Sequence, residues 1–267
     1  MAENSTALAN VGDLQIPGLT KEQLAALSEE ERHQILEFYR QELAESKQGV
    51  ELRPPRIKIS KDSLQFVDEL GNTFRELEGV IVFKHVARGL WDRTDSENPA
   101  PICSSLDGKH GNPDARGVAA GIQPGQACAT CPFNQWGSAT DEHGNPMRGK
   151  ACKEMRRVFV ATEGSQLPAV LTLPPTSITG FDKYISARVN RGIADIAATT
   201  KFSLREEKDG PRRWAVVEPS LGSPVPPQTM LKLAQMRHDI QQAAARMGVD
   251  ETDYDTSNEA ADDDLPF

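Results

Sequence analysis

From Arg56 the chain alternates with period two. Arg56, Lys58 and Ser60 face one way and Ile57 and Ile59 the other, as in a strand with one buried and one basic solvated face. Further strands are predicted at residues 73 to 90, 155 to 162 and 168 to 173. The Pro174-Pro175 stop then gives way to helical spacing, with Ile178, Phe181, Ile185 and Val189 on one face and Gly192 as terminator. A hairpin follows, Lys201 to Glu207 and Arg212 to Glu218, turned by Lys208-Asp209-Gly210.

Strands, then one helix, then a final hairpin is the element order of an OB barrel, whose helix lies between its third and fourth strands. The expected fold is therefore mainly β with helices (α+β), an OB-like domain over residues 49 to 225. Before it, residues 1 to 17 read as a polar leader. Thr20-Lys21-Glu22-Gln23 and Ser28-Glu29-Glu30-Glu31 are two capping boxes. They predict a helical arm within residues 1 to 48, whose stripe of Ile35, Leu36, Tyr39 and Leu43 packs on the body or serves self-association. Gly49 and Pro54-Pro55 mark the boundary. Residues 92 to 154 lack periodicity and are rich in Gly, Pro, Asn and Asp, so this insertion needs something other than its own core to order it. Residues 226 to 248 read as a helix with Leu233, Met236, Ile240, Ala243 and Met247 on one face. Residues 249 to 267 are too acidic and too poor in apolar residues to fold, which predicts a disordered tail.

Charge sharpens this division. The net charge is -9 over 267 residues, yet residues 249 to 267 carry eight acidic groups and no basic one, and residues 1 to 48 carry nine acidic against four basic. The middle is consequently basic, and a nucleic-acid partner fits the distribution although it does not fit the total. The longest aliphatic or aromatic run, Val80 to Phe83, is far short of a membrane span. The first residues lack the basic and apolar regions of a signal peptide. The expectation is a cytoplasmic protein without a membrane partner, in which cysteines stay reduced and serve as metal ligands or buried thiols.

All four cysteines, Cys103, Cys128, Cys131 and Cys152, fall inside the insertion. The two-residue spacer of Cys128-Ala129-Thr130-Cys131 lets both thiolates reach one tetrahedral cation, and the outer pair completes the set. Four thiolates leave no open position, so one Zn2+ per chain would be structural and would supply folding energy. His110 and His143, each opening a His-Gly-Asn-Pro sequence, are alternative ligands for an outer cysteine. A redox pair or an iron-sulfur cluster is also compatible with the residue types.

Single-strand binding needs cations for phosphates and flat side chains for bases. The basic middle interleaves them. The candidates are Arg56, Lys58, Lys84, Arg88, Trp91, Phe133, Trp136, Lys153, Arg156, Arg157, Phe159, Arg213 and Trp214. No compact Asp/Glu/His set stands out, and the five histidines are scattered, so catalysis is not expected.

The chain closes with Asp262, Asp263, Asp264, Leu265, Pro266 and Phe267. Acidic residues before a rigid aromatic end suit a pocket that offers a basic group. This stretch resembles the acidic tip of bacterial single-stranded DNA-binding proteins. With the cysteine cluster and the Cys131 to Gly137 stretch, residues 50 to 267 resemble in layout the zinc-containing single-stranded DNA-binding proteins of tailed phages. The resemblance implies a strand-binding barrel, an inserted zinc subdomain, and a tail that recruits host replication or repair proteins. Two features depart from the T-even phage type: it uses one histidine with three cysteines, and its N-terminal arm is basic. The expected function is non-enzymatic coating of single strands in replication, recombination or repair. The competing expectation is a zinc-ribbon adaptor or transcription regulator acting mainly through protein contacts.

Overall fold

The structure is a computed structural model that describes residues 8–11, 14–60, 63–92, 100–141, 143–210, 212–250 and 253. It divides into two compact units, Met1–Arg53 and Pro54–Phe267. In the first, β1 (Leu8–Val11) and β2 (Leu14–Thr20) pair antiparallel where the sequence reads as a polar leader. Two helices follow, α1 (Lys21–Ala26) and α2 (Glu29–Ser46). Ser28 caps α2 as its capping box predicts: its Oγ accepts from the Glu31 amide at 3.2 Å, and its own amide donates to Glu31 Oε2 at 2.8 Å. None of the residues of α2 is fully buried.

The second unit is mixed α and β around one large sheet. Its principal strands are β3 (Arg56–Ser60), β4 (Gln65–Val67), β5 (Thr73–Phe74), the long β6 (Glu76–Leu90), β9 (Lys153–Ala161), β10 (Ala169–Leu173), β11 (Ala198–Asp209) and β12 (Arg212–Pro224). Their order is β12-β11-β6-β9-β10-β3-β4-β5, and β3 runs parallel to β10. Strand β6 serves two partners in turn: Glu76 to Gly79 pair with β11, and Val80 to Gly89 with β9. Gly79 sits at the change-over. A Cβ there would lie 2.5 Å from the Ala161 carbonyl oxygen and 2.6 Å from Val160 Cγ1, so any side chain would collide with β9.

The sheet curls, with a register shift in β6 between Ile81 and Phe83. Among the described residues the ladders form an open path, yet Ile57 and Phe66 near one end share a core with Phe202 and Val217 near the other. Phe181 of α4 (Pro175–Asn190) plugs this core, and the buried Ser177 hydroxyl accepts from the Val217 amide of β12 at 2.9 Å. The helical stripe is correct at Phe181 and Ile185 and fails at its last position. Val189 is 68% exposed, and its neighbour Arg188 is buried instead. The Arg188 guanidinium donates to the Thr200 hydroxyl at 2.8 Å and to the carbonyls of Ala194 (2.8 Å), Asp195 (3.1 Å) and Ala198 (3.3 Å).

The opposite face of the sheet is covered by α5 (Pro227–Arg246), the helix predicted at 226 to 248. Its Leu233 packs on Val80 and Val82, and its Ile240 and Ala244 on Phe159 and Val170. No helix among the described residues is long and apolar enough to cross a membrane.

Candidate metal centre and nucleic-acid interface

The insertion is the connection between β6 and β9. Its elements are short: β7 (Cys103–Ser105), β8 (Asn112–Pro113), α3 (Ala115–Ala119) and two 3-10 turns, Cys128–Thr130 and Pro132–Asn134. Pairing fixes its outer cysteines to the sheet. Cys103 faces Leu90 of β6, and Cys152 directly precedes Lys153, which faces Gly89. The inner pair is held by the backbone: the Cys128 amide donates to Lys109 O at 2.7 Å and the Cys131 amide to Cys128 O at 3.3 Å.

These four positions, distant in sequence, converge. Cys103, Cys128, Cys131 and Cys152 all line one small cavity of about 20 Å³, together with Arg88, Ile122 and Asn134, which is room for a single water-sized or ion-sized guest. The approach is close enough that a Cβ on Gly111 would lie 3.2 Å from Cys103 Sγ. All four thiols are free. Among the described residues no three His, Cys, Asp or Glu side chains form a closed group around a metal as they stand. The thiols line the cavity. Burial, then the neighbouring sulfurs of Cys128 and Cys131, pushes the Cys103 thiol up to about 11. Burial pushes Cys152 up to about 12, with Arg88 opposing and the other three sulfurs assisting.

A supporting layer surrounds the thiols, and sequence reasoning missed it. Asn134 Nδ2 donates to Cys128 O at 2.8 Å while its Oδ1 accepts from Arg88 Nη1 at 3.0 Å. Gln135 Nε2 spans Ala129 O (3.1 Å) and Cys131 O (3.2 Å). Asn134 and Gln135 belong to the Cys-Pro-Phe-Asn-Gln stretch, so the available signal was two amides just after the inner pair. Arg88 also ion-pairs with Glu154. The donor set fits Zn2+: four sulfurs, a cation to offset the excess charge of four thiolates, and side chains that fix the turn carrying two of them.

Neither histidine lines this cavity. His143 sits in a turn built by Asp141, whose carboxylate accepts from the amides of His143 (2.9 Å) and Asn145 (2.8 Å) and from Asn145 Nδ2 (2.9 Å). Asp68 builds the same turn with Asn72 in Asp68-Glu-Leu-Gly-Asn72. His110 Nδ1 lies 2.7 Å from Asp107 Oδ2 on an exposed loop. The Gly-Asn sequences at 71–72 and 144–145 are thus turn chemistry, while Asn112 enters β8.

The candidate strand contacts divide into three groups. Lys58 is exposed, Trp136 is 49% exposed with Lys150 Nζ 5.9 Å from its ring centroid, and Arg213 is 69% exposed while its Nη1 lies 3.6 Å from Glu206 Oε1. A second group is engaged in ion pairs or packing: Lys84 with Asp195, Arg88 with Glu154, Arg156 with Glu154 and Asp182, and Phe133 against the cluster around Ile122. The third group is buried: Arg56, Trp91, Lys153, Arg157, Phe159 and Trp214. The alternation at Arg56 and Arg157 predicts a solvated face. That expectation is corrected at these two arginines, which are covered, while Lys58 on the same face as Arg56 stays exposed.

The cover corrects a second expectation, that the chain is unstructured from residue 249. Val249 packs against Trp91, Ala87 and Met155, and Asp253 is buried. Asp253 ion-pairs with Arg56 and accepts from the Thr172 hydroxyl at 2.5 Å; its Oδ1 lies 3.5 Å from Arg157 Nε. Asp250 lies 2.9 Å from Arg56 Nη2. Arg157 further donates to Met247 O at 2.6 Å and Arg56 to Gly248 O at 2.9 Å. Burial pulls the Arg157 guanidinium below its ordinary value, against the attraction of Asp253. The Asp262 to Phe267 tip lies outside the described residues.

No protein-family model, curated protein or solved structure matches this chain.

Proposed function

We propose that this chain is a non-enzymatic single-stranded DNA-binding protein, built on an OB-like barrel whose insertion is held by one structural zinc. Strand connectivity carries the reading. Taken as barrel strands one to five, β6, β9, β10, β11 and β12 pair so that the first strand meets both the second and the fourth, and α4 lies between the third and fourth. In such a barrel the strand-binding face lies over the second and third strands, flanked by the loops joining strands one to two and four to five. Here those loops are the cysteine insertion, with Trp136 and Lys150, and the β11-β12 turn, with Lys208 and Arg213 exposed beside it. Cys103, Cys128, Cys131 and Cys152 would hold the zinc, which supplies order to the insertion and no chemistry. The acidic tip from Asp262 to Phe267 would recruit replication or repair partners.

The test of binding is a titration with single-stranded and duplex oligonucleotides of mixed sequence. We expect preference for single strands, quenched tryptophan emission, and log affinity falling linearly with log salt by about 0.7 per phosphate neutralised. Equal affinity for duplex, or no binding at low salt, would exclude this function and favour a protein-binding adaptor.

The zinc makes a prediction about pH whose sign is opposite with and without metal. Metal-free, the raised thiols of Cys103 and Cys152 favour the fold while protonated. That contribution is present below about pH 9, where unfolded thiols titrate, and is lost as pH rises through about 11 to 12. Zinc requires thiolates, so loaded protein should lose stability toward acid instead. Thermal unfolding across pH, with zinc and with chelator, checks this; identical pH profiles would remove the metal from the proposal.

A further inference from the structure

Among the described residues that line the cysteine cavity, Arg88 is the one with a permanent charge. Read from the sequence as a strand contact, it is turned inward instead, and its side chain is 15% exposed. Its place on β6 is where the cysteine-bearing segments meet. Across one edge it faces Ser105, two residues from Cys103, and across the other Glu154, two residues from Cys152. It reaches the inner pair through Asn134, whose Oδ1 accepts from Arg88 Nη1 at 3.0 Å while its Nδ2 donates to Cys128 O at 2.8 Å.

The guanidinium is fixed without being used up. Its Nε donates to Gly108 O at 3.0 Å, and its second fork arm holds Glu154. A guanidinium carries five N–H donors. Gly108, Asn134 and Glu154 take one each, so two stay uncommitted among the described residues. The charges beyond it alternate: Glu154 lies 2.6 Å from Arg156 Nη1, and Arg156 Nη2 lies 2.9 Å from Asp182 on α4, which is 51% exposed. The positive end of this chain is the one at the cavity, and its negative end is in solvent. Four thiolates around one divalent ion leave two negative charges uncompensated, and a partly buried site does not screen them. A cation with free N–H donors at the wall answers both needs, since it offsets charge and draws electron density from sulfur.

We propose that Arg88 is the positioning residue that sets the metal affinity of the four-cysteine site, through its charge and its free N–H donors, and that Glu154 opposes it by holding the same guanidinium. This rests on the zinc reading above and assigns the residue on which that site's strength depends.

The experiment uses the full chain, with Zn2+ for affinity and Co2+ for spectra, and reads affinity by competition with a chromophoric chelator. Arg88→Met keeps much of the side chain's bulk and removes its charge. It should weaken zinc binding by about ten- to a hundredfold, the range for residues that support metal ligands. Arg88→Lys restores the charge without the fork and should recover most of that loss. Glu154→Gln carries the discriminating sign, at a position that is 33% exposed and outside the core. With the carboxylate gone, Arg88 serves the sulfurs more fully, so zinc should bind about threefold tighter, the scale of a partly exposed ion pair. A purely architectural ion pair predicts weaker binding there. Cobalt supplies a signature that packing does not move. Without the cation the sulfur electrons lie higher, so the thiolate-to-cobalt charge-transfer band should shift to lower energy in Arg88→Met and stay in place in Arg88→Lys. Unchanged affinity in Arg88→Met, equal losses in the methionine and lysine variants, or weaker zinc binding in Glu154→Gln overturns the role of Arg88 and leaves the four-cysteine site standing. An unsubstituted chain that takes up neither Zn2+ nor Co2+ removes the zinc reading and this assignment together.

Discussion

Replacing Cys128 and Cys131 together with serine should abolish zinc binding and leave the insertion without order. The insertion's own apolar cluster is small: Ile102 and Ile122 with Leu90 of β6, backed by Phe133, Ala151 and the cysteines themselves. Against it stands the backbone entropy of ordering a long connection, which a cluster of that size cannot offset alone. A structural zinc would add on the order of 10 kcal/mol of folding energy. The sheet core contains no insertion residue, since Ile57, Phe66, Ile81, Val158, Leu171, Phe181, Phe202 and Val217 all lie on the sheet or α4. The double variant should therefore keep this core folded while the insertion's amides lose nearly all protection from exchange. Metal analysis should fall from one zinc per chain to none. A variant that retains zinc, or retains the insertion's protection without it, would show that the thiols are packing groups and not ligands.

Replacing Arg188 with methionine should cost about 3 to 5 kcal/mol, in the range for stripping a buried charged donor from its partners. The reasoning counts what is left behind. The carbonyls of Ala194, Asp195 and Ala198 close the α4 to β11 connection on this guanidinium, and the Thr200 and Tyr184 hydroxyls meet it as well. Each buried acceptor left unpaired costs about 1 to 3 kcal/mol, and methionine restores packing but no donor. The neighbouring Val189→Ala, at an exposed site, should change stability by less than about 0.5 kcal/mol. Urea midpoints of the two variants compare them directly. A cost near that of Val189→Ala would mean that water replaces the guanidinium and that the connection is held elsewhere.

The elements of the second unit were legible because each is written in local pattern. Alternation located β3, and the strands read at 73 to 90, 155 to 162 and 168 to 173 fall on β5 with β6, on β9 and on β10; the prolines at 174 and 175 located the start of α4; Lys208-Asp209-Gly210 located the hairpin turn. The cysteine grouping was legible too, since a connection of that length without periodicity needs an external source of order. The first hairpin, Leu8 to Thr20, was missed because its strands are short and carry no sustained alternation.

Tertiary structure decided which faces are covered and by what. Alternation at Arg56 and at Arg157 announces two faces and cannot say that the polar one is roofed, because the roof comes from the far end of the chain: Asp253 is 197 residues from Arg56. A charge is buried only where a counter-charge and hydrogen bonds arrive together, and that meeting is a property of the folded chain. Arg188 and Val189 exchange their expected places for the same reason, since a helix face is defined by what packs on it and here that partner offers carbonyls. The sequence determined the strands, the helices and the clustering of the cysteines along the chain. Only the curl of the sheet and the return of Asp253 decided that the arginines read as a surface lie covered.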